Sequence, residues 1–105
     1  MALRFEIHKE YSMRKYELMT IFPIEEELYK TGLEAARAVL SEFGAEIEGE
    51  EAYGDRDLCY EVKKRNRGRF LLLNIKVNPA KVVDIDRQFK LNVNLLKFMF
   101  VRIEE

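Results

Sequence analysis

Five cations fall within seven residues in "KKRNRGR": Lys63, Lys64, Arg65, Arg67 and Arg69. Positive charge gathered so closely on what reads as a hairpin tip attracts phosphate, because several like fields add at one place. Cations also keep an exposed turn solvated, which is the plainer use. Other groups able to do chemistry are sparse. His8 is the single histidine and has no cysteine, serine or carboxylate constellation around it. Cys59 has no partner for a disulfide, no companion at metal-ligand spacing and no neighbouring base. Asp55 and Asp57 share a strand face and Glu50–Glu51 lie nearby, but no further oxygen ligands for calcium or magnesium accompany them. Gly54 and Gly68 are isolated and form no phosphate loop. The pattern predicts binding: no catalytic residues, no metal site, no cofactor and no small-molecule substrate.

The chain carries 18 basic and 19 acidic side chains in 105 residues, a formal net charge of −1. Balance conceals segregation. From Glu42 to Glu61 there are eight acids and one base, Arg56, and the cationic run follows at once. Further cations stand at Arg14, Lys15, Lys97 and Arg102. Such asymmetry bears on partners more than on fold. The length fits one domain with one core. No apolar run reaches the roughly 20 residues that span a bilayer, and "MALRFEIHKEYS" lacks the apolar centre of a signal peptide. The expectation is a soluble cytoplasmic protein with no membrane partner.

The elements that must position these groups follow from periodicity. "RKYELMTIF" (14–22) alternates, with Tyr16, Leu18, Thr20 and Phe22 on one side and Lys15, Glu17, Met19 and Ile21 on the other. A helix is predicted from about Glu25 to Phe43, its stripe formed by Leu28, Gly32, Ala36, Val39, Leu40 and Phe43, with Gly44 as a left-handed cap. An extended segment from Ala45 to Val62 places Arg56, Leu58, Tyr60 and Val62 opposite Asp55, Asp57, Cys59 and Glu61. After the basic turn, "GRFLLLNIKV" points Leu71, Leu73, Ile75 and Val77 at the core, leaving Phe70, Leu72, Asn74 and Lys76 outward. Asn78 and Pro79 start a short helix with Val82, Ile85 and Phe89 buried. A last strand alternates Leu96, Phe98 and Phe100 with Lys97, Met99 and Val101. The order β-α-β-β-α-β predicts an α+β, ferredoxin-like split βαβ fold: a four-stranded antiparallel sheet with two helices on one face.

By that alternation Met19, Ile21, Phe70, Leu72, Met99 and Val101 share the uncovered face, an apolar patch suited to a protein or RNA partner. Tyr16, Tyr60 and Phe70 are aromatics near the cations that unpaired bases can stack on, although Tyr16 and Tyr60 alternate with core residues, for which packing is the ordinary role. The RNA-recognition motif shares the topology but asks for aromatics where "RGRFLLLN" has Arg69 and Leu71, so that signature fails. A ferredoxin-like ligand-binding or regulatory domain, self-associating through the open face, is the rival reading.

From Met13 onward the chain resembles the family of the sixth protein of the bacterial small ribosomal subunit. The resemblance rests on "MRKYEL", on "GDRDLCYEVKKRNRGRF" and on the closing "LLKFMFVRIEE", and it covers about 93 residues. Arg14 and Tyr16 match its opening motif, Gly54, Arg56, Leu58, Tyr60 and Lys64 its middle one, and Lys97 and Arg102 its last strand. Cys59 and Glu61 depart from the alanine and proline usual there, and Lys63, Arg65, Arg67 and Arg69 exceed the motif's basic character. The resemblance implies a structural ribosomal protein that binds the central domain of small-subunit rRNA together with the eighteenth protein of that subunit. The expected RNA contacts are Arg14, Lys15, Tyr16, Arg56, Lys63, Lys64, Arg65, Arg67, Arg69, Lys97 and Arg102. The expected protein contacts are Leu58, Tyr60, Val62, Phe70 and Leu72. Residues 13–105 form the expected domain, preceded by an extension, 1–12, without an assigned role. Some relatives carry an acidic tail that receives added glutamates; this chain, stopping at Glu105, does not imply that modification.

Overall fold

A computed structural model describes residues 13–103; His8, the 1–12 extension and the terminal glutamates lie outside the described residues. Six elements follow one another: β1 (Arg14–Phe22), α1 (Glu26–Glu42), β2 (Glu46–Val62), β3 (Arg65–Val77), α2 (Pro79–Phe89) and β4 (Lys97–Arg102). The strands form one sheet in the order β2-β3-β1-β4, with every adjacent pair antiparallel. This is the expected ferredoxin-like arrangement.

Alternation works as read in β1 and in the core half of β3. Leu18, Phe22, Leu71, Leu73, Ile75 and Val77 are buried beneath the helices. Thr20 is buried with them, and its hydroxyl donates to the Leu71 carbonyl at 2.7 Å, so its burial leaves no polar group unsatisfied. Pro23, fully buried, closes β1.

Helix α1 opens with Glu26 and Glu27 at its positive end and closes in a Schellman motif. There the Gly44 amide donates to Ser41 and the Ala45 amide to Leu40, with Gly44 at φ 76°. Its buried stripe is Gly32, Leu33, Ala36 and Leu40; Leu33 was missing from the sequence reading. Gly32 has a distinct task. A Cβ there would strike the Asn94 carbonyl oxygen, and Asn92 Nδ2 donates to the Gly32 carbonyl at 3.1 Å. The loop before β4 therefore lies directly on the helix backbone.

Helix α2 starts as expected: Asn78 Oδ1 accepts from the Ala80 amide at 3.0 Å, and Pro79 occupies the first turn. Ile85 and Phe89 reach the core. Phe89 lies 5.3 Å from Phe98, edge to face, and 6.2 Å from Phe100, and Phe100 meets Tyr16 at 6.2 Å. Tyr16 belongs to this aromatic cluster and is only 8% exposed. As an RNA-stacking residue it needs correcting, because its ring is spent on the core.

Strand β2 departs from simple alternation. Its pairing with β3 shifts between Ile47 and Gly49, between Ala52 and Gly54, and between Asp57 and Val62. Gly54, at φ 81°, supplies the left-handed backbone that the second irregularity requires. In the third, Asp57 pairs with Arg67 and Val62 with Arg65, so Leu58 to Glu61 stand opposite the single residue Asn66. That segment leaves the ladder, so the two-faced reading holds for Asp55–Asp57, which pair in regular register, while strand alternation does not govern Leu58–Glu61.

Candidate nucleic-acid and protein interface

The predicted basic tip resolves into two parts. Only Lys63 and Lys64 form the turn between β2 and β3, with φ 48° and 64°. Two consecutive left-handed residues mark a type I′ turn, which ordinarily carries Asn-Gly. Each non-glycine residue held there costs about 1–2 kcal/mol. Arg65, Arg67 and Arg69 are not in the turn at all. They alternate along β3, so all three lean to the helix side of the sheet.

There they meet carboxylates. Arg65 Nη1 lies 2.5 Å from Glu25, Arg67 Nε 3.1 Å from Asp57, and Arg69 bridges Asp55 and Glu26 at 2.8 Å each. The Arg69 guanidinium also covers the Tyr29 ring at 4.6 Å and donates to the Ile24 carbonyl. Its hydrogen bonds to Asp55 and Glu26 hold its pKa above the ordinary arginine range. In return, the hydrogen bond from Arg69 holds the Asp55 carboxyl below the usual carboxylate range, against a smaller opposing effect of burial. The image of five available cations at a hairpin tip is corrected accordingly: three face carboxylates, Arg65 and Arg69 tying β3 to the start of α1 and Arg69 also to β2, while the Arg67–Asp57 pair stays solvent-exposed.

The lysines behave differently. Lys63 reaches back, its Nζ donating to the Leu95 carbonyl at 2.9 Å. Lys97 Nζ sits 3.4 Å from the Tyr60 hydroxyl and 5.5 Å from that ring's centroid. Lys64 is exposed at the apex. Arg56 stays on its own strand, donating to the Tyr53 carbonyl at 3.1 Å and lying 5.9 Å from that ring. Tyr53 in turn donates to Glu51, and that bond raises its hydroxyl's pKa. Arg14, Lys15 and Arg102 gather at the opposite end of the sheet, where Tyr16 pairs in register with Arg102. The eleven expected RNA residues therefore do not converge on one surface.

Four of the five residues expected to meet a protein lie together. Leu58, Tyr60, Val62 and Phe70 line one cleft of about 200 Å³ with Ile21 and Lys97. Leu58, Cys59 and Tyr60 of the displaced segment form its wall, and Tyr60, 67% exposed, is its rim rather than core. A second apolar hollow, about 240 Å³, continues across Met19, Ile21, Phe70 and Met99. Leu72 is the exception: it lies on the same face but is 7% exposed and offers a partner almost nothing. Lys90, absent from the sequence reading, closes the lysine side of the molecule.

Among the described residues no three histidine, cysteine or acidic side chains are placed to hold a metal, and none of the described helices is long and apolar enough to cross a membrane. What the fold presents is an apolar sheet face beside basic side chains on an α+β domain of ferredoxin-like form. Comparison with known proteins makes the class particular. The family model for ribosomal protein S6 matches residues 15–102. The chain is 52% identical over 93 residues to the small ribosomal subunit protein bS6 of Treponema denticola, covering 89% of this chain and all of that one. Against bS6 of Treponema pallidum the identity is 42%, over 88% and 99% of the two chains. The crystal structure of 30S ribosomal protein S6 from Thermotoga maritima superposes with a TM-score of 0.76 at 21% identity, over 87% of this chain and 88% of that one, a likeness of fold. This chain belongs to the ribosomal protein S6 family, a structural family of the small ribosomal subunit.

Proposed function

We propose that this chain acts on the ribosome, in the cytoplasm, by binding small-subunit rRNA together with one small protein, the eighteenth protein of that subunit. The observation that carries the reading is the open sheet face. Its contiguous apolar cleft, formed by Ile21, Leu58, Val62 and Phe70 and rimmed by Tyr60 and Lys97, is surface that a lone soluble domain gains nothing by exposing. Membership of the S6 family supplies the ribosomal context. Positive side chains next to the cleft give a protein partner and a polyanion adjoining seats.

The test is sedimentation of a cell extract through sucrose, followed by reconstitution from purified components. The chain is expected in the small-subunit fraction, and binding of an rRNA central-domain transcript is expected to tighten when the eighteenth protein is added. A chain that stays at the top of the gradient as a self-associated dimer would replace this reading with a self-associating regulatory domain.

A further inference from the structure

The charged side chains at the hairpin end sort by what they touch. On the helix side, Arg65, Arg67 and Arg69 face four carboxylates, Glu25, Glu26, Asp55 and Asp57, so that ladder carries no positive excess. Around the corner, Lys63, Lys90 and Lys97 line a hollow of about 330 Å³ in which Asp86 is the one acidic lining residue, floored by Phe89 and Leu95. Asp86 pairs with Lys90 at 3.0 Å. Lys64 follows Lys63 on the turn, outside the lining of the hollow, and no ion pair of Lys64 occurs among the described residues. The turn itself keeps two lysines at backbone angles that favour Asn-Gly. Strain retained where a cheaper sequence exists points to a use for those side chains.

Resting on the rRNA-binding reading, we propose that phosphates of the rRNA backbone seat at this lysine corner, on Lys63, Lys64 and Lys90 with Lys97 at its edge, and that the arginine ladder touches no RNA and positions the turn. Lys63 fits the task, since its bond to Leu95 uses one ammonium proton and leaves two to donate. Ammonium groups act as point charges toward phosphate and need no fixed bidentate geometry. The ladder decides the angle at which the turn leaves the sheet; the lysines decide what it meets.

The experiment measures affinity of the full chain, with its protein partner, for an rRNA central-domain transcript across a series of salt concentrations. Wild type is expected to weaken linearly on logarithmic axes. Lys63→Asn/Lys64→Gly combined with Lys90→Gln is expected to flatten the slope by about two to three units, about one for each lost phosphate contact. Its Tm should equal or exceed that of wild type, because the turn is relieved of strain. Arg67→Gln, which removes a solvent-exposed pair and leaves the fold intact, is expected to keep the wild-type slope. An unchanged slope in the lysine variant, or an equal flattening in Arg67→Gln, would overturn the lysine corner while leaving rRNA binding standing. Absence of saturable binding by the wild type would instead remove the rRNA reading itself.

Discussion

Arg69 and Asp55 face each other across the β2–β3 ladder, and the arginine donates to both oxygens of the carboxylate, from Nε at 2.8 Å and from Nη2 at 3.4 Å. The remaining nitrogen, Nη1, turns to Glu26 at 2.8 Å. One side chain thereby joins an edge strand, a central strand and the first turn of α1. Arg69→Gln is expected to lower the Tm by about 5 °C, since the planar fork that satisfies two carboxylates at once is lost. Arg69→Lys should recover less than half of that, because an ammonium cannot span both acids in this geometry. Thermal unfolding followed by far-UV circular dichroism reads both. Full recovery by lysine would mean that charge alone, without the fork, holds the hairpin.

The same pair sets an acid limit. Asp55 has a folded-state pKa below its unfolded value, so the folded state binds fewer protons in that range. Its contribution is therefore complete above the ordinary carboxylate pKa of 3.8 and is lost as pH falls through the depressed one. Between about pH 5 and pH 2 the wild type is expected to lose stability more steeply than Asp55→Asn, which has no carboxyl to titrate. Parallel Tm-versus-pH curves for the two proteins would contradict this.

How much of this was legible beforehand depends on the interaction's reach. The element order, the Gly44 cap and the Asn78–Pro79 helix start are local signals and read directly from the chain. The open apolar face followed from alternation in β1, β3 and β4, where pairing is regular. Alternation failed in β2, whose three register shifts place Leu58, Tyr60 and Val62 by a detour of the backbone. The state of the arginines was illegible for a related reason. Asp55-x-Asp57 and Arg67-x-Arg69 have matched spacings, a signal in principle, but only the register brings them opposite, and Glu25 and Glu26 come from another element. Period two assigns a side and not a depth of burial, so it set Leu72 on the open face without showing that it is buried; it set Tyr16 on the core side, where the ring lies, against its expected RNA contact.

Contact between the Asn92–Asn94 loop and α1 can be tested at one atom. Gly32→Ala introduces a methyl group where the Asn94 carbonyl oxygen already lies, with Phe22 Cδ1 also in close contact. Alanine would normally favour a helix interior by about 1 kcal/mol over glycine. Overpacking against fixed backbone costs about 1–3 kcal/mol, so the net expectation is destabilisation despite better helix propensity. Urea unfolding measures it; a variant more stable than wild type would show that the loop yields freely.

Two neighbours in sequence parity separate binding from folding. Phe70 lines the cleft beside Tyr60 and Lys97, whereas Leu72, two residues along the same face, is already buried within the chain. Leu72→Ala should cost about 2–4 kcal/mol of stability, as removal of a buried leucine does, and weaken the partner only in so far as the fold is lost. Phe70→Ala should cost less stability but weaken association with the proposed protein partner by about tenfold or more, since an aromatic anchor in an apolar cleft contributes strongly to an interface. Titration calorimetry with the purified partner, at a temperature where both variants are folded, distinguishes them. Equal losses of stability and affinity in both variants would make Phe70 a core residue and move the partner's seat off the open sheet.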